Sequence, residues 1–504
     1  MPGPIDRHPE PELIDHRDEG RSREALERLG ARAWAEGLDW LYGPAAARPT
    51  GPEAYGDLRR TFFGERGEPG PAPLRGSPSE AVLAEFRERI AAHAFAAQHP
   101  GSYSYFTPPG LPMAIVGETL GQWLNQGIDV WLSGMVGPLV EEEVVRWLCD
   151  LVGYPEGSWG VLTSGGVMAN VMALTVARDV HLARLAGDGE PPRAAALDGP
   201  RVYASDQTHF SVERAIDLLG FPPGTLRILP SDAAFRLQAR PVAHAIAEDR
   251  AAGRLPFAIC AVAGSTNTGS IDDVGSLADL AEREDLWLHV DAAYGAPARL
   301  SERESGKLAG LERADSLTVD PHKWLFQPYD VGGLLVRRGE DLRRTFHREP
   351  EYYAVGDQAE RPLHWYQYSL EGTRRFRALK LWLSWKHLGS EGFARLIEHN
   401  VDLAGHLARR ARELGFDVVE PELAVVCFRL APAGLDDERV DELQRRLQRA
   451  LEVSATGWVS TTTLRGRTWL RAGVLNYLSR PSDADRILDE LSTAAGPLVD
   501  ELAG

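Results

Sequence analysis

The chain has 504 residues, too many for one hydrophobic core, so more than one domain is expected. Apolar residues make up 43% and charged residues 25%, which is ordinary for a soluble globular protein. A formal net charge of −18 argues against a nucleic-acid or anionic-membrane partner, because both need basic patches.

The N-terminus, "MPGPIDRHPEPELIDHRDEGRSREALERL", is polar and charged and does not read as a signal peptide. No apolar run in the chain reaches the roughly 18 residues of a membrane span. Residues 1–110 mix helical patterns with connectors rich in proline and glycine. Within them "SEAVLAEFRERIAAHAFA" predicts an amphipathic helix with Ser79 at its cap. Cys149, Cys260 and Cys427 lie far apart in apolar stretches and read as reduced core residues rather than a disulfide framework or a metal site. A cytoplasmic protein is expected.

From about residue 159 short apolar runs alternate with helical patterns. "WGVLTS", "RVYASD", "TLRILP", "PFAICAVAG", "LWLHVD", "SLTVD" and "VGGLLVRR" predict strands. The helices between them imply βαβ units and a mostly parallel sheet flanked by helices, an α/β fold whose active sites lie at the carboxyl ends of the strands. From about 390 a helix, "LAVVCFRLAP", a second helix, "TWLRAGVLN" and a last helix make a small α+β domain. The expected division is 1–110 helical, 111–388 α/β and 389–504 α+β.

Four strand-end loops carry polar residues beyond what a turn needs. "TSGGVMAN" places Ser164, Gly165 and Gly166 at a helix start, where backbone N–H groups can approach an anion. "SDQTHFSVER" puts His209 at another helix start, and "STNTGSIDD" puts Thr266 after a strand. In "LWLHVDAAYGA", Asp291 follows an apolar run, and a carboxylate there is costly without a cation or strong donors close by. Beside it, Ala292 and Ala293 leave space for something flat. In "SLTVDPHKWL", Lys323 sits at a strand end, where a dry pocket would disfavour its charged form and make it a nucleophilic amine. A flat cofactor with a ring nitrogen, a phosphate and an aldehyde needs these parts together. Other motifs fail. "SERESGKLAG" has Ser301 where a P-loop needs glycine and lacks Ser or Thr after its lysine. No cluster has zinc spacing, and no G-x-S-x-G elbow occurs.

On "DPHKW", "LWLHVDAAYGA", "SDQTHFSVERA" and "RRFRALKLW", the chain resembles the group II pyridoxal-phosphate-dependent amino acid decarboxylases, and among them the aromatic L-amino acid decarboxylases. The likeness runs from "AAQHPGSYSYFTPPG" to "TTLRGRTWLRAGVLN", most of the chain. It implies a type I fold with a seven-stranded sheet, pyridoxal 5'-phosphate as cofactor, and a homodimer with the site at the subunit interface, wrapped by the N-terminal segment. It implies that Lys323 bonds the cofactor aldehyde, Asp291 pairs with the ring nitrogen and His209 stacks on the ring. His322 then lies near the phosphate, Thr266 and Ala293 line the cofactor, and Ser164, Gly165 and Gly166 form the phosphate loop. Val167 replaces a polar residue found in many relatives, so the phosphate falls to backbone N–H groups, Ser164 or residues elsewhere.

The resemblance makes Tyr352 the proton donor on a mobile loop, with Tyr353 as the fallback, and separates this chain from relatives with phenylalanine there, which tend to be aldehyde synthases. "SYSYFTPPG" resembles the substrate segment, with Tyr105, Phe106 and Thr107 as contacts. Trp131 and Leu132 resemble a stretch that enters the neighbouring subunit's site. An aromatic lining suits tryptophan, tyrosine or dihydroxyphenylalanine. Relatives acting on glutamate, cysteine sulfinate or diaminobutyrate share the catalytic parts. A paralogue that only binds the cofactor would have lost an essential group, and none is missing here.

Overall fold

The structure is a computed structural model and describes residues 8–13, 18–43, 47–49, 53–187, 199–349 and 362–504. Helices α1 (Glu19–Tyr42), α2 (Tyr55–Phe63) and α3 (Ser79–Arg89) come first, followed by α4 (Pro112–Leu124), α5 (Trp131–Gly134) and α6 (Val136–Val152). The large unit then alternates strand and helix. Its first half is β1 (Trp159–Thr163), α7 (Gly166–Ala186), β2 (Pro200–Ser205), α8 (Phe210–Leu218), β3 (Leu226–Leu229) and α9 (Ala239–Ala251). Its second half is β4 (Leu255–Val262), α10 (Val274–Glu284), β5 (Trp287–Asp291), α11 (Glu302–Ser305), β6 (Ser316–Val319), β7 (Gly332–Val336) and α12 (Gly339–Phe346).

These strands form one sheet of seven in the order β1-β7-β6-β5-β4-β2-β3. β7 runs antiparallel to both its neighbours, and the other pairs are parallel. The carboxyl ends of the remaining six therefore share one edge. Central strands read as unbroken apolar runs because helices cover both faces, and every residue of β5 and β6 is buried. All seven expected strands are present, so the mostly parallel α/β sheet is borne out.

After the large sheet come α13 (Ala378–Glu413), β8 (Asp417–Val419), β9 (Val425–Arg429), α14 (Asp437–Ser454), β10 (Ser460–Leu464), β11 (Arg467–Gly473) and α15 (Pro481–Ala503). The small sheet is antiparallel, in the order β10-β11-β9-β8. α13 bends at Gly389, whose φ of 70° lies in the left-handed region that glycine tolerates. Ahead of the bend Trp382 and Lys386 bond Glu143 of α6, and beyond it His406 bonds Asp485 of α15 at 2.8 Å.

Two local expectations need correction. Pro78, not Ser79, occupies the cap of α3; Ser79 begins the helix and spends its N–H and Oγ on Glu10, at 2.6 and 2.9 Å. That helix also ends at Arg89 instead of running through "IAAHAFA", which turns into a short 3-10 segment at Ala91–His93. Trp40 of α1 donates its indole N–H to the Ala91 carbonyl there, at 3.1 Å, so a tertiary contact takes the group that a longer helix would use. The two strands missing from the expectation, β8 and β10, are short and lie at the edges of the small sheet.

Candidate active site

At the shared carboxyl edge a cavity of about 320 Å³ opens, within the range of small-ligand sites. Ser164, Gly165, Gly166, His209, Thr266, Asp291, Ala293, His322, Lys323 and Phe106 all line it. They come from the ends of β1, β2, β4, β5 and β6 and from a segment before α4, and the sheet brings them together because its parallel strands end in register.

Asp291 closes β5 in the middle of the sheet and is 8% exposed. Asn170, one turn into α7, donates from Nδ2 to its Oδ2 at 2.8 Å. Across the cavity Lys323 is half-buried, and its Nζ lies 3.0 Å from Oδ2 of Asp320. Burial works against its charge, but Asp320 and Asp291 outweigh it, so the lysine pKa is raised above its ordinary value. The direction is opposite to the expectation that a dry pocket disfavours the charged amine, because two carboxylates share the pocket.

Burial does dominate at Lys380, where it acts with Arg375 to bring the amine down to about 7, although Glu118 lies 2.9 Å away. Lys380 donates to the carbonyls of Pro328 and Asp330, at 2.7 and 3.0 Å, and does not line the cavity. Position therefore separates the two lysines where acidity alone would choose the wrong one.

His209 forms the cap of α8, and His322 gives its Nδ1 to the carbonyl of Val331 at 2.6 Å. Burial lowers the pKa of both, in His209 against the pull of Asp291 and in His322 against that of Asp320. A folded pKa below the unfolded value of about 6.5 means that unfolding takes up protons as pH falls through that window. Stability attributable to the two neutral imidazoles is complete above pH ~6.5 and lost below it. The cofactor-free double variant His209→Asn/His322→Asn is expected to gain on wild type in urea midpoint between pH 7.5 and 5.5; a constant difference contradicts this.

The loop after β1 is tightly drawn. A Cβ on Gly166 would lie 2.9 Å from Asp320 Oδ2 and 3.5 Å from Ala293 Cβ, so only glycine fits without a shift. The first helical bond of α7 runs from the Ala169 N–H to the Gly165 carbonyl, at 3.1 Å. The N–H groups of Gly166, Val167 and Met168 precede it, at the cavity wall. Together with the exposed Ser164 hydroxyl they form an anion cradle at the start of a 21-residue helix. Asp320 Oδ1 is buried among these residues without a partner. An anion cradle, a carboxylate and an amine around a flat space bounded by Ala293 fit the phosphate, ring nitrogen and aldehyde of the implied cofactor.

Other expected residues are placed differently. Thr107 reaches the cavity through Tyr329, whose hydroxyl lies 2.9 Å from its Oγ1. Tyr105 is 61% exposed and packs edge-on against Trp458, with ring centres 5.2 Å apart, in a separate groove. Trp131 and Leu132 lie in α5 and do not line the cavity of this chain. Tyr352 and Tyr353 lie outside the described residues. Asn170, Asp320 and Tyr329 line the cavity without having been singled out. Asn170 and Asp320 stood inside the motifs "TSGGVMAN" and "DPHKW", where only their neighbours were weighed. Arg471 of β11 was also missed; its guanidinium lies 4.7 Å over the Phe106 ring and donates to the carbonyls of Thr266 and Ser104.

Residues 65–431 match the family model described as pyridoxal-dependent decarboxylase conserved domain. An aromatic-L-amino-acid decarboxylase of Bacillus atrophaeus is 35% identical over 478 residues, 94% of this chain and 96% of that protein. An L-2,4-diaminobutyrate decarboxylase of Acinetobacter baumannii is 29% identical over 80% of this chain and 82% of its own length. Among solved structures, Oryza sativa TDC with PLP and tryptamine superposes with a TM-score of 0.85 at 26% identity, covering 93% of this chain and 98% of that one.

Proposed function

Because the chain belongs to the pyridoxal-dependent decarboxylases, enzymes that use pyridoxal 5'-phosphate, we propose that it converts an aromatic L-amino acid, such as tryptophan, tyrosine or dihydroxyphenylalanine, to its amine and carbon dioxide. The observation that carries the aromatic reading is a stack beside Lys323. Phe106 lies on Tyr294 with ring centres 4.4 Å apart, and Tyr294 lies on Trp324 at 4.7 Å. Tyr294 and Trp324 are buried and hold Phe106 in the cavity wall, its ring 5.9 Å from Lys323 Nζ. A substrate ring would bury a large apolar area against this aromatic wall.

Pyridoxal phosphate, when bound, supplies an aldehyde for the substrate amine and a charged ring that takes up the electron pair left by departing carbon dioxide. The protein's own groups have distinct parts. Ser164 and the N–H groups at the start of α7 hold the phosphate. Asp291, an acceptor fixed by Asn170, keeps the ring nitrogen protonated. His209 would cover the ring, Thr266 and Ala293 would line it, and His322 would stand beside the phosphate loop. Lys323 would hold the cofactor through its amine, and Asp320, 3.0 Å from Nζ, would orient that amine. The hydroxyl of Tyr352 delivers a proton to the substrate α-carbon.

Carbon dioxide release across a panel of amino acids tests this reading. Turnover is expected with the aromatic members; turnover confined to glutamate, cysteine sulfinate or diaminobutyrate overturns it. In the same assay Tyr352→Phe is expected to lose amine output and to form aldehyde, ammonia and peroxide with uptake of oxygen and water. Unchanged amine output removes Tyr352 from the reaction.

A homodimer is part of the proposal. Trp123, Leu132 and Val136 expose 63%, 56% and 61% of their surface on neighbouring helices, and α1 buries only Ser22 and Ala25 in the single chain. Such apolar surface suits a partner that is a second copy of the chain. Light scattering is expected to read a dimer; an active monomer contradicts it. The three cysteines are free and buried, which suits a cytoplasmic setting. Among the described residues no helix is long and apolar enough to cross a membrane.

A further inference from the structure

We propose that Asn170 is the branch point of a one-way hydrogen-bond relay that starts at the Trp287 indole and fixes both Asp291 and the His209 ring. Asn170 is 1% exposed, and its amide is used in full. Nδ2 donates to Asp291 Oδ2 at 2.8 Å and to Ser211 Oγ at 2.7 Å. Oδ1 faces His289 Nε2 at 3.1 Å and accepts from the Thr318 hydroxyl. His289 Nδ1 lies 2.9 Å from Ser316 Oγ, and Trp287 Nε1 donates to that same oxygen at 2.8 Å.

The donor inventory leaves one direction for this chain of contacts. A carboxylate only accepts, so Asn170 must turn its NH₂ toward Asp291 and its oxygen toward His289. His289 must then carry its proton on Nε2. Burial holds that imidazole neutral, so Nδ1 accepts from the Ser316 hydroxyl. Ser316 in turn accepts from Trp287, an indole that can only donate. The second branch runs outward. Ser211 Oγ, having accepted from Asn170, donates its hydrogen to His209 Nδ1 at 2.7 Å, and the Ser211 backbone N–H reaches the same atom at 3.4 Å. That leaves the His209 proton on Nε2, at the cavity.

All of these groups are inner-face residues of β5, β6, α7 and the start of α8. The relay therefore joins the group beneath the ring nitrogen to the group over the ring face through one amide. Asn170 touches neither substrate nor cofactor in this scheme; it is a positioning residue. The inference rests on Asp291 and His209 as the cofactor contacts proposed above.

Asn170→Asp keeps the shape and replaces two donors by an acceptor beside Asp291. At position 170 the facing titratable groups are Asp291 and His289 of β5 and His209 ahead of α8, with Lys323 and Asp320 across the cavity. The dissociation constant of pyridoxal phosphate, titrated by absorbance into the cofactor-free full chain, is read from pH 6 to 9 beside wild type. About tenfold or more weaker binding is expected for the variant at pH 8, where the introduced carboxylate faces Asp291 in place of a donor. The gap is expected to close toward pH 6, where the introduced carboxyl gains a proton and can donate again. Affinity equal to wild type, or a loss that does not vary with pH, overturns the relay.

Labelled-histidine ¹⁵N spectra of the wild-type holoenzyme decide the matter even if the variant does not fold. His209 and His289 are both expected as neutral Nε2–H tautomers, and an Nδ1–H tautomer at either overturns the direction. Asp291→Ala, titrated in parallel, separates the two levels. If it binds the cofactor as wild type does, the assignment of Asp291 fails; if it binds weakly while Asn170→Asp does not, the relay alone fails.

Discussion

Lys323→Ala is expected to lower decarboxylation turnover by about 10³-fold or more while the fold and cofactor binding through the phosphate cradle persist. The size of the effect follows from chemistry that no neighbour can replace. In the proposed reaction a primary amine at this strand end would hold the cofactor, and no other described side chain of the cavity supplies one. The other lysines of the chain are Lys307, Lys380 and Lys386. None of the three lines the cavity. Lys307 is paired with Glu304 at 2.6 Å, and Lys386 with Glu143 at 3.0 Å on the outer side of α13. Lys380 is the instructive rival, since burial brings its amine to about 7, yet its Nζ is committed to two carbonyls behind the Tyr329 loop. Lys380→Ala should therefore loosen that loop and leave the chemistry in place. Turnover of Lys323→Ala within tenfold of wild type shows that the amine is not needed.

Asp291→Asn is the second large effect, with turnover expected to fall by about 10²–10³-fold. The substitution keeps shape and removes one charge. In the proposed role that charge would matter most in the transition state, so the loss is expected to fall on kcat more than on KM. An asparagine there would also turn an amide toward the Asn170 N–H, leaving one of the two misoriented in a site with little water to repair it. A rise in KM with kcat unchanged would assign Asp291 to substrate binding alone.

Most of the large sheet was legible because its strands are short apolar runs bounded by turn signals, and the polar residues that break those runs are the ones lining the cavity. Asp291 and Lys323 stood out for that reason. Asn170 did not, since an asparagine four residues into an apolar helix carries no sign of which way it faces; only the pairing of β5 with β6 shows His289, Thr318 and Asp291 converging on it. Asp320 was hidden for a different reason. Beside a proline in "DPHKW" it reads as a turn residue, and its bond to Lys323 depends on the chain doubling back over three residues. The raised pKa of Lys323 was hidden for the same cause, because burial can be inferred from an apolar run while the carboxylates that oppose it lie at the ends of two different strands. β10, "STTTL", escaped notice because it is a half-polar edge strand whose place is set by β11.

The central claim, that this cavity carries pyridoxal phosphate on Lys323, is tested most directly by borohydride reduction of the cofactor-loaded protein, followed by peptide mass spectrometry. The account predicts one pyridoxyl adduct, on the peptide containing Lys323, and its loss in Lys323→Ala. An adduct on Lys380 or another lysine, or none in fully loaded protein, would contradict it.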